Sequence, residues 1–517
     1  MLTTHGVPSR RRAVILNFTA QTTAVALVMI QGIFLVRLYL RFIGVPLYGA
    51  WLASTQLVGW VTILDPGTDE VLRQRAANAH GRGRPDELGQ LIGTGLVINL
   101  LIAICVTGAS LLLTPALPGW FRVSAQSAGQ LIRAAVVLAL ASGTTVVAYA
   151  LGSSLQALQR AGGYGVVLIA GNIAGLVLNI GLLYAGWGLT AIAAGLLFKT
   201  VVWVAGWSCV LIWICRPRGR EPIHLSFSAD RARELIHLAG YMLVSKIASM
   251  LQTSSDGVLT GMMLGTSQTA ILVLTGRVID AARMLPDKIG AAMQPGLANL
   301  VGVGNREKSL RISTHFLVAV SLIAAPLIAT AAVLNRDVVG LWVGPALYGG
   351  RPLTALLGIS SLLTLLTTAI YHVLFANGLI ETTSKISLVA GALKILLLLV
   401  LLPRLGLIAV PIATTAAILI VTAPRYLRAL SVTFKLDRAR ERRLLVSVSS
   451  GPAICLTLAV LLAKAPGAPT WPAAALKSVV VLGFLIGTVL ALQPAARRYA
   501  VAAVLRARVR VWRSGPA

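Results

Sequence analysis

The sequence predicts an all-α, polytopic membrane protein of about fourteen transmembrane helices. Three observations predict it. Of 517 residues, 57% are hydrophobic and only 12% charged, against roughly 25% charged in an ordinary soluble domain, and the mean hydropathy is +0.83. The apolar residues come in runs long enough to cross a bilayer, which takes roughly 20 residues per helix. The 45 Lys and Arg against 16 Asp and Glu, net +29, gather in alternate connections between those runs, as expected of a multi-pass chain with basic cytoplasmic loops.

In order, the runs fall at approximately 14–40, 46–66, 88–114, 131–155, 164–185, 188–214, 235–264, 269–294, 312–334, 352–376, 383–403, 405–427, 444–463 and 473–493. The first follows Arg10, Arg11 and Arg12 and is too long for a signal-peptide core, so it reads as an uncleaved span with its basic flank in the cytoplasm. Fourteen crossings return the C-terminus to the same side. With that side inside, 30 of the 45 basic residues lie in inside loops or tails, 8 lie outside (Arg336, Arg351, Lys464 and Lys477 among them), and 7 lie within spans. A miscounted helix would scramble this alternation. Sorted this way, most of the charge fixes orientation, and no nucleic-acid partner is expected.

Several function classes are excluded early. No connection exceeds roughly twenty residues and the outer side offers essentially Asp337 alone as an acid, which disfavours an integral-membrane glycosyltransferase or polymerase. No G-x-x-x-x-G-K-S/T loop is present, which disfavours an ATP-driven pump. Cys105, Cys209, Cys215 and Cys455 lie in apolar runs without metal-ligand spacing, and are expected to be small buried apolar residues.

The chain repeats itself. AANAHGRGRPDELGQLI (76–92) aligns with LANLVGVGNREKSLRIS (297–313): Ala77-Asn78 fall on Ala298-Asn299, Gly81 on Gly302 and Gly83 on Gly304. Gly44 falls on Gly265 and Leu64 on Leu285 at the same offset, and Gly188-Leu189 fall on Gly406-Leu407. The unit is six spans. An even number gives two like-oriented copies, so the expected division is a six-helix lobe over 1–222, a second over 223–432, and two further helices with a basic tail over 433–517. Two such lobes suit a carrier working by alternating access.

The segments LRFIGVPLYGAW (40–51), ILDPGTDEVLRQRAANAHGRG (63–83), LGSSLQALQRAGGYGVVLIAGNIAGLVLNIGLLYAGWGLTAIAAG (151–195), SSDGVLTGMMLG (254–265) and LPDKIGAAMQPGLANLVGVGN (285–305) resemble polysaccharide-unit flippases. These belong to the multidrug/oligosaccharidyl-lipid/polysaccharide exporter superfamily. The resemblance runs from about 14 to 430 and rests on the order of the motifs. It implies a V-shaped, two-lobed transporter, not an enzyme, in a bacterial plasma membrane with both termini cytoplasmic. The implied substrate is an undecaprenyl-diphosphate-linked oligosaccharide, moved from the inner to the outer leaflet for exopolysaccharide, capsule or O-antigen synthesis. Membrane lipids, a polysaccharide polymerase and glycosyltransferases are the implied partners. No cofactor is expected; the driving force is left open between a proton gradient, a sodium gradient and the membrane potential. Asp65-Pro66-Gly67 departs from the family's more usual Asp-Leu-Gly, and the proline is expected to kink helix 2.

Independently of that resemblance, ionisable residues inside spans are the sharpest functional signal, since each costs about 2.5 to 3.5 kcal/mol on insertion scales. Arg37 lies on the first helix, Lys246 and Asp256 on the seventh, and Arg277, Asp280, Arg283, Asp287 and Lys288 on the eighth. Lys199 and Lys394 are expected to snorkel. Arg37, Lys246, Arg277 and Arg283 are the candidates for a cationic cavity that binds the diphosphate, arginine being suited by its bidentate fork. Asp280 can instead pair with Arg277 or Arg283 one turn away. Asp65, Asp256 and Asp280 are the candidates for ion coupling or gating. The cation surplus within the spans favours an anionic substrate over the alternative, a cation-coupled multidrug exporter of the same superfamily.

Overall fold

The computed structural model describes residues 31–32, 34–158, 160–215, 223–302, 306–463 and 467–493, with backbone alone at some helical positions such as 289–296. Arg10, Arg11 and Arg12, most of the first span, Arg216, Arg218 and Arg220, Gly304, Lys464 and the arginine tail lie outside the described residues. Two compact units are formed, Met1–Ala270 and Ile271–Ala517. The described residues contain no strand.

In the first unit the elements are α1 (34–43), α2 (Val45–Val61), α3 (Thr68–Gly81), α4 (Pro85–Leu113), α5 (Leu117–Trp120), α6 (Ala125–Ala157), α7 (Ala161–Tyr184), α8 (Leu189–Cys215), α9 (Ala229–Thr253) and α10 (Ser255–Met263). The long α11 (Thr266–Gly302) begins there and continues into the second unit. That unit adds α12 (Arg306–Val343), α13 (Arg351–Ala376), α14 (Ile380–Leu405), α15 (Ala409–Ala417), α16 (Ala423–Phe434), α17 (Arg438–Leu462) and α18 (Trp471–Leu492). A π-helical turn over Ile418–Thr422 joins α15 to α16.

Among the described residues, ten stretches are long and apolar enough to cross a membrane. One of them, Ile380–Phe434, has 55 residues, far more than one crossing needs, and Gly406 at φ +60° turns the chain within it. The helices α9 and α11 are also of crossing length, 25 and 37 residues, and with α10 they hold most of the expected site residues.

The repeat is written into the element ends. Gly44 at φ +82° precedes α2 and Gly265 at φ +96° precedes α11, 221 residues later. Such left-handed backbone favours glycine, which has no Cβ to clash. The same offset separates Gly81 from Gly302 at the ends of α3 and α11, and Pro85 from Arg306 at the starts of α4 and α12. The copies differ in one respect. Helix 2 is broken between α2 and α3, whereas α11 runs unbroken through Pro286, the position matching Asp65.

The compact units divide at 270, later than the expected boundary at 222, because α9 and α10 pack on α2, α3 and α4. Glu234 of α9 accepts from Arg75 at 3.1 Å, and Arg231 reaches Glu87 at 3.1 Å and Glu234 at 2.9 Å. Deeper along the helix, Gly257 N–H donates to Gln56 Oε1 at 2.8 Å. A Cβ on Gly49 would stand 1.9 Å from the Thr266 carbonyl oxygen, so only glycine admits that approach. The segment 433–517, expected apart, likewise belongs to the second unit. Both α17 and α18 pack on α12, and Ser321 donates to the Val448 carbonyl.

In lipid, helices associate through close packing of small residues and interhelical hydrogen bonds, because burying apolar surface from lipid yields little. The α7/α8 pair shows this. Gly171 and Gly175, four residues apart on α7, face α8, where a Cβ on Gly175 would lie 2.6 Å from the Gly195 carbonyl oxygen. The Trp203 indole N–H donates to the Leu168 carbonyl at 3.1 Å, and Trp207 to that of Tyr164 at 3.2 Å. Gly175→Leu is expected to force the helices apart and cost more than 2 kcal/mol, within the range for overpacked cores. Loss of monodisperse protein on detergent size-exclusion chromatography checks this, with Gly181→Leu as control, since nothing lies within 4 Å of that position.

Two expectations are corrected here. Only Cys455 of the four cysteines is buried; Cys105 and Cys209 are exposed and Cys215 is intermediate, because their apolar runs turn those faces to lipid. Neither lysine simply snorkels. Lys199 Nζ sits 4.9 Å from the Trp203 ring centroid, a cation–π contact, and Lys394 is only 3% exposed, inside the second unit.

Candidate functional site

In the first unit the candidate site centres on the broken second helix. Asp65 precedes Pro66, whose ring disfavours helical backbone at the preceding residue, and Asp65 is extended at φ −95°, ψ +104°. Gly67 then takes φ +90°. The proline therefore breaks the helix outright instead of kinking it: a 3-10 turn over Thr62–Leu64 closes α2, and α3 restarts at Thr68. Backbone left without helical partners at membrane depth is tolerated where protein groups satisfy it, and such breaks mark transport sites.

Asp65 supplies part of that satisfaction. Its Oδ1 accepts from Gly67 N–H at 3.0 Å, and its Oδ2 accepts from Lys246 Nζ of α9 at 3.0 Å. The same ammonium donates to the Asp65 carbonyl oxygen. The Lys246 and Asp65 side chains are 28% and 13% exposed. Lys246, expected as a ligand for the diphosphate, is thus held by a carboxylate and a carbonyl across 181 residues of sequence. Thr68, the first residue of α3, donates to Asn99 Oδ1 at 3.0 Å, and Asn99 Nδ2 donates to the Gly95 carbonyl at 2.8 Å. One turn further, Ser153 lies 3.5 Å from Asp69 Oδ2, and Arg73 donates to Gln156 Oε1 at 3.4 Å and pairs with Glu70.

The apolar run of helix 2 ends near 66, and Asp69, Glu70 and Arg73 lie beyond it in sequence. In the structure they continue the polar face below the break. The legible signal was Asp-Pro-Gly itself: a residue restrained by proline, an acid able to cap its own turn, and a glycine able to go left-handed.

The other expected residues distribute as follows. Arg37 is an exposed residue of α1. Asp256 lies half-buried in the first turn of α10, beyond the break at Ser254. Arg277, Asp280 and Arg283 belong to the second unit, at three-residue intervals along α11, with Arg277 and Asp280 exposed and Arg283 half-buried. Asp280 stands one turn from each arginine, so the triad carries a net single positive charge. The candidate residues are therefore an internally neutral Asp65–Lys246 pair with exposed Arg37 in one unit, and a net cationic Arg277–Asp280–Arg283 cluster in the other. Among the described residues, no group of three His, Cys, Asp or Glu is placed to hold a metal ion.

Residues 90–346 match the family model described as "Polysaccharide biosynthesis protein". The fold matches that of the lipid II flippase MurJ in an inward closed conformation, with a TM-score of 0.66 at 13% identity over 92% of this chain and 99% of that one. It also matches an inward-facing multidrug resistance transporter of the MATE family (TM-score 0.59, 16% identity, 83% and 98% covered) and a eukaryotic MATE transporter (0.57, 16%, 85% and 96%). No curated protein matches the sequence. These neighbours are a flippase and two transporters. The chain is a multi-pass membrane protein with the fold shared by the lipid II flippase MurJ and the MATE transporters, and over residues 90–346 it matches the pattern of the polysaccharide biosynthesis proteins.

Proposed function

We propose that the protein is a flippase that carries undecaprenyl-diphosphate-linked oligosaccharide units from the cytoplasmic to the outer leaflet of a bacterial plasma membrane. It works by alternating access, without ATP, and feeds exopolysaccharide, capsule or O-antigen synthesis. The observation that carries this reading is the family match over 90–346, in a fold shared over 92% of the chain with a flippase of lipid II. The intramembrane charge agrees with it. Once Asp65 and Lys246 neutralise one another, Arg37, Arg277 and Arg283 remain as the phosphate-binding candidates, with Asp280 set between two of them. Arginine forks bind phosphate oxygens bidentately, and a diphosphate offers several. Asp65, Asp256 and Asp280 are proposed for coupling or gating, driven by a proton or sodium gradient or by the membrane potential. A polymerase and glycosyltransferases are the proposed partners, and both termini are proposed to be cytoplasmic.

The test is complementation of a bacterial strain lacking its own polysaccharide-unit flippase, supplied with defined repeat units. Restored surface polysaccharide is expected. Cytoplasmic-leaflet accumulation of the lipid-linked unit despite membrane-inserted protein would reject the reading, and acquired resistance to cationic drugs would favour the multidrug alternative.

A further inference from the structure

The second unit contains a pocket remote in sequence from the candidate site residues, lined by the end of α12, the start of α13, the end of α17, Gly467, and Lys477 of α18. It encloses about 710 Å³ including its open mouth. Its polar wall carries Arg336, Asp337, Arg351 and Lys477, and its apolar wall is α17, through Leu456, Ala459 and Val460.

The charge does not cancel. Asp337, with its side chain only 7% exposed, accepts from Lys477 Nζ at 2.8 Å. A Cβ on Gly467, in the α17–α18 turn, would stand 3.2 Å from Asp337 Oδ1, so that pair is closely covered. With the pocket's carboxylate engaged, Arg336 and Arg351 add two positive charges, both on exposed residues. Both act on Tyr348 between them, whose hydroxyl burial pushes above its ordinary value. Arg351 is the first residue of the 26-residue α13, where the helix dipole disfavours a cation. Helix stability does not account for it there.

The polar wall is rigidly framed. Thr354 donates to Tyr348 OH at 3.1 Å, Asn335 Nδ2 donates to Thr354 Oγ1 at 3.0 Å and to the Thr275 carbonyl at 3.0 Å, and Gly349 N–H donates to Thr275 Oγ1 at 2.9 Å. Depth and access follow from the helices. Arg336 is seven residues before the end of α12 and Lys477 six after the start of α18, about 10 Å from either end at 1.5 Å per residue. The charged wall therefore sits within about two turns of these helix ends, beside the apolar residues of α17. Val460 is 62% exposed and the neighbouring Leu461 61%, so the apolar wall opens onto lipid. Three of the eight basic residues on the face opposite the arginine-rich loops meet here, where the orientation rule calls for few.

We infer that this pocket binds an anionic phospholipid of the surrounding leaflet, its phosphate between Arg336 and Arg351 and an acyl chain along Leu456 and Val460 of α17. A lipid held this way ties α17 and α18 to α12 and α13.

The test is native mass spectrometry of the full-length protein released from micelles doped with equal amounts of phosphatidylglycerol and phosphatidylcholine. Parallel arms contain inorganic phosphate or undecaprenyl diphosphate. Wild type is expected to retain phosphatidylglycerol at least about tenfold over phosphatidylcholine, the ratio one charge-assisted contact confers. The R336Q/R351Q variant should fall to parity, as should A355E, which adds a carboxylate at an exposed position of the pocket wall; R336K/R351K should retain a preference. Lys477 is left intact because its loss would strand Asp337. Absence of headgroup preference in wild type, or its survival in both R336Q/R351Q and A355E, would overturn the inference. So would displacement of the lipid by inorganic phosphate alone, or tighter capture of undecaprenyl diphosphate through the same arginines.

Discussion

Replacing Lys246 with alanine is expected to lower thermal stability in detergent and to abolish most export, and replacing Asp65 with alanine at the same time is expected to restore much of the stability but not the export. The single change leaves a carboxylate 13% exposed at a break in a membrane helix, with only Gly67 N–H donating to it. Stranding a buried charge costs about 3–5 kcal/mol; with Lys246 itself 28% exposed, about 2 kcal/mol is the appropriate scale. Removing both partners removes the stranded charge, so a double-mutant cycle should give a coupling energy between about 1 and 3 kcal/mol. Independent, additive effects of the two substitutions would show that the pair does not hold α9 to the broken helix. Gly67→Ala should mimic the stability loss by a different route, because φ +90° is strained for any residue with a Cβ.

Arg277→Ala and Arg37→Ala are expected to reduce surface polysaccharide about ten- to a hundredfold in the complemented strain, the range given by losing a charged hydrogen bond of about 1.5–3 kcal/mol. Protein level should be unchanged, since both residues are exposed. Arg277→Lys should fall between, keeping the charge and losing the fork. Asp280→Asn is expected to tighten substrate retention while slowing release, because the neighbouring arginines then lose the carboxylate that competes with phosphate. Undiminished export in correctly inserted Arg277→Ala and Arg37→Ala proteins would remove both arginines from the site.

What the sequence made legible depended on whether the signal was local. Helix ends marked by Gly44, Gly265, Gly81 and Gly302 were readable, because a left-handed turn or a helix stop is set by one or two residues. Their common spacing exposed the repeat. Charges such as Arg277 and Asp280 were readable as functional candidates because an apolar run makes any ion conspicuous. The Asp65–Lys246 pair was not, because its partners lie 181 residues apart on helices whose adjacency only tertiary packing reveals. The same limit hid the assignment of α9 and α10 to the first unit, which rests on contacts such as Arg75 with Glu234. Lys394 and Cys105 were misread for a related reason: hydropathy says that a run is in the membrane but not which face meets lipid and which meets protein. The pocket of the second unit is not legible in the sequence because its four charged residues are spread from 336 to 477, and each alone looks like an ordinary loop charge.

The most direct test of the central claim is reconstitution of the purified protein into vesicles containing an undecaprenyl-diphosphate-linked oligosaccharide. A membrane-impermeant reagent that modifies the sugar is then added outside, without ATP. The account predicts that protein-containing vesicles expose nearly all of the sugar within minutes, whereas protein-free vesicles and vesicles with Arg277→Ala expose only the outer leaflet's share. Exposure limited to that share with the wild-type protein, while the same vesicles accumulate a cationic dye under a proton or sodium gradient, would contradict it.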